Sequence, residues 1–504
     1  MNKRGSGILL HLTSLPGDYG IGDLGSGAFR FIDFLHAAGQ SYWQFLPTGP
    51  TSSVFDNSPY MSRSVFAGNP LLISPEKLFS SGLLSKSDLA GRPDFSEYGV
   101  DYEKVTLFKN KLLQTAFHNF IHSAHDNDFE MFCYEHKNWL DDHALFMCLR
   151  DKHHFKAWHK WPTSFARRDT KSLSQFSREF ADKLLYYKFI QFIFYTQWQR
   201  LSEYAGFKGI SLIGDIPIYV GFDSVDVWAN QDLFKLDNKT FQPTKVAGVP
   251  PDYFSETGQR WGNPVYKWHL ANKKINEQLL NWWLTRFKYI FSMMDMVRID
   301  HFRGFESYWE IPAKEKTAVN GRWIKGPGIK LFQHISKELG TLPIIAEDLG
   351  VITPAVTKMR RSQGYPGMKV LQFAFESDET NPYLPHNYTQ TNMVVYTGTH
   401  DNNTTLGWFL DDKLPETARN HVRQYINSTG DEHISWDFIR LALSTIADLA
   451  IIPLQDILGF GEDCRMNTPG TADGNWRWRC AASFLNEETA QRLHNITSLY
   501  NRSP

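Results

Sequence analysis

Short apolar runs recur along the chain, most of them separated by stretches with helical periodicity. Residues 7–12 form the first run, closed by Thr13-Ser14-Leu15-Pro16-Gly17, and residues 42–46 form the second, stopped by Pro47. Further runs cover 209–220, 293–300, 343–348, 368–375, 393–401 and 449–458. Near-continuous apolar runs of this kind predict strands buried on both faces, as in a parallel sheet. Residues 27–38, 275–292, 329–339 and 415–427 predict helices between them. Eight strands alternating with helices predict an α/β fold, a (β/α)8 TIM barrel. An open doubly wound sheet is the alternative. The strand count disfavours it, and the glycine-dense stretch 18–25 lacks the GxGxxG spacing of a dinucleotide-binding turn.

Two long excursions interrupt the alternation. Residues 51–74 read as a loop too rich in aromatics to be disordered, with Asn57-Ser58-Pro59-Tyr60 and Phe66-Ala67-Gly68-Asn69-Pro70. From about 101 to 205 the pattern is helical, with Val105, Phe108, Leu112, Ala116, Phe120 and Ala124 on one face. The expected organisation is one barrel domain, 1–504. Its insertions are a loop plus helical subdomain at about 51–205 and a lid region at about 221–275. The Gly and Pro content of 246–264 argues there for a shaped loop.

Composition adds exclusions. Lys and Arg number 53 against 54 Asp and Glu, so nothing points to a nucleic-acid or membrane-surface partner. Four scattered cysteines are too few for a disulfide framework or a zinc site. The apolar stretch after Arg4 is too short for a signal peptide, and 184–198 is broken by Lys188, Gln191 and Gln197. A soluble cytoplasmic protein is expected.

The chemistry centres on Met294-Asp295-Met296-Val297-Arg298-Ile299-Asp300-His301-Phe302-Arg303-Gly304. Residues two apart on a strand share a face, so Arg298 should orient Asp300 and keep it ionised. An ionised, aimed carboxylate can act as a covalent nucleophile. By itself such a pair is more often a structural salt bridge. The design recurs, however: Asp215, Glu347 and Asp401 also stand at strand ends, and a barrel gathers strand ends onto one face. Several carboxylates at one mouth suit either a metal or glycosidic bond cleavage. With no HExxH, no calcium-loop spacing and no His pair at ligand spacing, no metal or organic cofactor is expected. The sugar reading also suits the 15% aromatic content, since flat rings grip sugar rings.

The sequence resembles the amylomaltases, the 4-α-glucanotransferases or disproportionating enzymes of the α-amylase clan. The resemblance runs from Gly7 to about Arg479. It rests on Leu15-Pro16-Gly17 through Gly25, Ser58-Pro59-Tyr60, Ala67-Gly68-Asn69-Pro70, Gly248-Val249-Pro250-Pro251-Asp252 and Thr257-Gly258-Gln259 through Pro264. It continues with Arg298 through Gly304, Ala346 through Gly350, Gly398 through Asn402 and Arg465 through Gly470. It implies Asp300 as nucleophile, Glu347 as acid/base and Asp401 as the carboxylate that binds sugar hydroxyls and steadies the transition state. It implies Arg298 and His400 as partners of the nucleophile and of the bound sugar, and Asp215 as the acid shared with the wider clan. In that clan a histidine usually follows this acid by five residues, whereas this chain has Val220. Ser58, Tyr60, Asp252, Gln259, Trp261 and Asn467 are expected to bind substrate, with Tyr60 and Trp261 as ring platforms.

A retaining mechanism needs two carboxyls about 5–5.5 Å apart, one ionised and one protonated. Arg298 should lower the proton affinity of Asp300, and burial after Ile344-Ile345-Ala346 should raise that of Glu347. The expected activity is transfer of α-1,4-glucan segments to glucan or glucose through a glycosyl-Asp300 intermediate. The partners are maltooligosaccharides and α-1,4-glucans. The rivals are a hydrolase of the same clan and a catalytically silent glucan-binding protein.

Overall fold

The computed structural model describes residues 4–122, 127–251, 255–428 and 430–504. Ala124 and Asp252 lie outside the described residues. Eight parallel strands form a nearly closed barrel, taken in chain order around the ring: Gly5–Leu9, Tyr42–Gln44, Ser211–Pro217, Met296–Asp300, Ile344–Ala346, Gly367–Val370, Met393–Tyr396 and Leu449–Pro453. The first and last pair in parallel from Gly5 against Leu449 to Leu9 against Pro453. At the remaining seam, Ala346 N donates to Pro366 O over 2.9 Å and Met368 N to Asp348 Oδ1 over 2.8 Å.

The strands form where expected because every residue of Gly5–Leu9 and Leu449–Pro453 is buried. A parallel strand covered on both faces is apolar throughout. Every strand is shorter than its apolar stretch, most plainly in the last three. Leu371–Ala374 and Leu454–Ile457 continue as helical turns, and the seventh strand stops at Tyr396. Burial, not extension, is what an apolar run records. Pro453 also removes an N–H from the ladder and opens the turn that follows. At Gly7 a Cβ would stand 2.4 Å from the Tyr42 carbonyl oxygen, so the second strand lies closer than any side chain permits.

Helices occupy the excursion between the second and third strands, among them Tyr102–Ile121, Lys137–Lys152 and Ala181–Phe207. Tyr102–Ile121 buries Val105, Phe108, Leu112 and Ala116. The polar residues that interrupt 184–198 have a structural use. Gln191 exchanges hydrogen bonds with Gly68 N and O (2.8 and 3.1 Å), and Gln197 does the same with Ser74 N and O (2.8 and 3.3 Å). The long loop after the second strand is thereby pinned to the long helix through its backbone.

The reading of 246–264 as a shaped loop needs correction. Lys245–Val249 and Gln259–Pro264 form an antiparallel hairpin, and Ser307–Pro312 and Arg322–Lys325 extend it to a four-stranded sheet beside the barrel. Gly and Pro in this stretch mark tight approaches and a register irregularity between Val246 and Gly248, not irregular chain. Among the described residues no helix is long and apolar enough to cross a membrane.

Candidate active site

Asp215 is the fifth residue of Ser211–Pro217 and pairs in register with Arg298 on Met296–Asp300. Arg298 Nη1 donates to Asp215 Oδ2 over 2.6 Å, and Nη2 to Asp300 Oδ1 over 3.0 Å. Strand alternation delivers the second contact and sheet register the first. Asp215 is fully covered, whereas Asp300 keeps 30% of its side chain accessible, so Asp300 is the one that can meet a ligand.

Glu347 follows Ile344–Ala346 directly. Its Oε2 accepts from His301 N over 2.7 Å and its Oε1 from Leu349 N over 2.8 Å. The first bond depends on an unusual backbone: His301 has φ 53, a left-handed conformation that turns its N–H toward the next strand. Burial is the largest influence on both acids. It pushes Glu347 up to about 7, helped by the neighbouring Asp300 charge and opposed by Arg298 and the two N–H donors. It also pushes Asp300 up to about 6, helped by Asp215 and Asp401. The effect expected of Arg298 is present but does not prevail. The guanidinium lowers the proton affinity of Asp300, but desolvation and two further carboxylates outweigh it. Both acids are raised, and because each charge acts on the other their two titration steps belong to the pair.

Tyr60 reaches this cluster from the pinned loop. Its hydroxyl donates to Asp215 Oδ2 over 2.8 Å and lies 2.8 Å from His400 Nε2. Burial and the Asp215 charge hold the phenol far above its usual range, so it has one proton to give. With its one hydrogen donated to Asp215, the Tyr60 hydroxyl oxygen is left to accept from His400 Nε2. The same nitrogen is 3.4 Å from Asp401 Oδ2. The Tyr60 and His400 rings stack at 5.2 Å. Behind them sits Trp476, buried, with φ 62. Asn467 Nδ2 donates to Asp401 Oδ1 over 2.6 Å, and Arg465 binds Asp401 O and Asn467 O. A cavity beside His400 is lined by His11, Asn402, Gln455 and Arg465.

Seven expected residues therefore belong to one connected network: Tyr60, Asp215, Arg298, Asp300, His400, Asp401 and Asn467. Glu347 joins it through its charge coupling to Asp300. On the adjoining hairpin, Trp261 stands edge-on to His301 at 4.9 Å and donates from Nε1 to Gln259 Oε1 over 3.0 Å. Ser58 lies in the Tyr60 loop, half-buried, where its N donates to Phe55 O. Asp252 is outside the described residues. Sequence reasoning missed the supporting parts played by His301, Arg465 and Trp476. His301 and Arg465 stand within motifs already singled out, but nothing local marks Trp476. Among the described residues no group of three or more His, Cys, Asp or Glu side chains is arranged to hold a metal ion.

Comparison with known proteins agrees along the whole chain. The family model described as 4-alpha-glucanotransferase, glycoside hydrolase family 77, matches residues 10–485. The chain is 50% identical to a 4-alpha-glucanotransferase of Synechocystis over 506 aligned residues, covering 100% of this chain and 99% of that one. It is 44% identical to one of Thermus thermophilus, covering 99% of each. Its structure superposes on an amylomaltase from Streptococcus agalactiae, solved in complex with acarbose, with a TM-score of 0.95 and 39% identity over 100% of both chains. A carboxylate-lined barrel mouth with this full-length likeness leads to one assignment: the chain belongs to the 4-alpha-glucanotransferase family, glycoside hydrolase family 77.

Proposed function

We propose that this enzyme moves segments of α-1,4-glucan from donor to acceptor by a retaining double displacement. Asp300 is the nucleophile. Its carboxylate attacks the anomeric carbon of the bound glucosyl unit while the glycosidic bond breaks, and Glu347 gives its proton to the departing oxygen. An incoming sugar hydroxyl then loses its proton to Glu347 and displaces Asp300. Asp401 and His400 bind the sugar being transferred, with Tyr60 packed beside them. Trp261 and Gln259 on the hairpin meet the acceptor.

The observation that carries this reading is the contrast between two coupled acids in one site. Asp300 is held by a guanidinium and Glu347 by two backbone N–H groups, and burial raises the proton affinity of both. One ionised and one protonated carboxyl is the state a retaining enzyme starts from. The hairpin favours transfer by excluding water from the glycosyl-enzyme. The reaction proceeds without metal or organic cofactor, so activity should survive a chelator.

Incubation with maltotriose tests the reading. Glucose together with a ladder of longer maltooligosaccharides is expected, whereas glucose and maltose alone would mean hydrolysis. Asp300→Asn should abolish turnover while glucan binding persists. Retained turnover would remove Asp300 from the role of nucleophile.

A further inference from the structure

Glu347 is held from two sides, by His301 N and by Leu349 N, and a single side chain spans both segments. Arg303 lies two residues after His301 in the turn Phe302–Phe305 and is buried. Its Nη1 donates to the carbonyl of Val351, two residues beyond Leu349. Val351 is 72% exposed and follows Gly350, which has φ 76, so the loop has little apolar anchoring at that point. The guanidinium also lies over the Trp323 ring, 3.9 Å from its centroid. Trp323 is 41% exposed on Arg322–Lys325, yet its place is fixed. Trp309 meets it edge-on at 5.2 Å, and Trp309 is itself held by a 2.8 Å hydrogen bond to Ala318 O. The same strand end is tied back to the turn by Gly326 N to Glu306 O and Gly328 N to Phe305 O, at 2.9 and 2.8 Å.

We infer that Arg303, capped by Trp323, is the positioning residue of the acid/base. It locks the turn that supplies one N–H to Glu347 against the loop that supplies the other. This gives the exposed Trp323 a purpose that packing alone does not. A planar guanidinium can lie flat on a ring while donating in its own plane, a geometry that the point charge of a lysine ammonium does not have. The inference rests on Glu347 being the acid/base.

The test compares two donors. Maltotriose needs a proton on its leaving oxygen, whereas α-maltotriosyl fluoride does not. Fluoride release is read with azide as acceptor, which needs no general base. Arg303→Met should lower kcat on maltotriose by between about 10- and 100-fold, part of what a positioned acid contributes, with fluoride release nearly unchanged. Arg303→Lys should recover part of the loss. Trp323→Ala should show the same donor selectivity to a smaller degree, and it carries the test if Arg303→Met does not fold. Equal losses on both donors, or no loss on either, would overturn the inference. Glu347→Gln is the control for the reading beneath it. If that variant also fails to spare the fluoride donor, the acid/base assignment falls and the inference with it. If it spares the fluoride donor and the Arg303 and Trp323 variants do not, only the positioning role is wrong.

Discussion

Asp300 and Glu347 show how one environment sets two proton affinities. Both are raised by burial, but Arg298 bonds Asp300 directly and acts on Glu347 only through space. The proposed mechanism needs Asp300 ionised and Glu347 protonated. kcat/KM should therefore fall below about 6 as Asp300 gains a proton and above about 7 as Glu347 loses one. The two limbs belong to the pair. A pH profile with no alkaline limb would contradict the role of Glu347. The same raised values act on stability with a definite sign. In the unfolded chain these acids titrate near ~4, so between there and their folded values the native state holds protons that the unfolded state has released. Their contribution falls as pH rises through about 6 and 7 and is flat above. Asp300→Asn and Glu347→Gln should therefore raise Tm at pH 8 by about 2 °C or more, with the gain shrinking toward pH 4. Thermal melts at the two pH values check this.

At the scale of elements, the site depends on segments that have little regular structure of their own. Tyr60 sits on a loop of short turns, and that loop is ordered because Gln191 and Gln197 on Ala181–Phe207 satisfy the backbone of Gly68 and Ser74. Gln191→Leu would leave the Gly68 N–H and carbonyl without this partner, at a cost of about 1–3 kcal/mol for each group left buried and unpaired. The expected outcome is a lower Tm together with a raised KM for maltotriose, because Tyr60 shifts with the loop. A change in Tm without one in KM would show that the loop holds its place by other contacts. The spacing of polar residues within an apolar helix was visible in the sequence. That these two glutamines grip a loop over a hundred residues earlier was not, since a side-chain amide's partner is set by packing.

The whole molecule is a ring with one seam. The fifth and sixth strands meet through the Ala346–Pro366 bond and through Asp348, which accepts from Met368 N and pairs with Arg360 at 2.9 Å. Asp348 sits against Gly367, where a Cβ would stand 2.5 Å from its Oδ2. The residue next to Glu347 is thus a closure for the barrel. Asp348→Ala strands the buried Arg360 and should cost about 3 kcal/mol, read as a lower denaturation midpoint. Unchanged stability would mean that the seam is held elsewhere.

Eight strands in order and the helices between them were legible in the chain, because burial writes itself as apolar runs and a barrel follows from their alternation with helices. Of the acids expected at strand ends, Asp300 and Glu347 stand there, whereas Asp215 lies inside its strand and Asp401 five residues beyond Tyr396. Arg298 and Asp300 were legible as a pair, because strand alternation is local. The Asp215–Arg298 bond, the left-handed turn at His301, the backing of Tyr60 and His400 by Trp476, and the antiparallel sheet at 245–325 were decided only by the tertiary structure. Each depends on register or packing between segments far apart in sequence, and neither leaves a periodic trace. The proton affinity of Asp300 is the clearest instance: the sequence displays the cation beside it, but only the folded chain surrounds it with enough desolvation and negative charge to prevail.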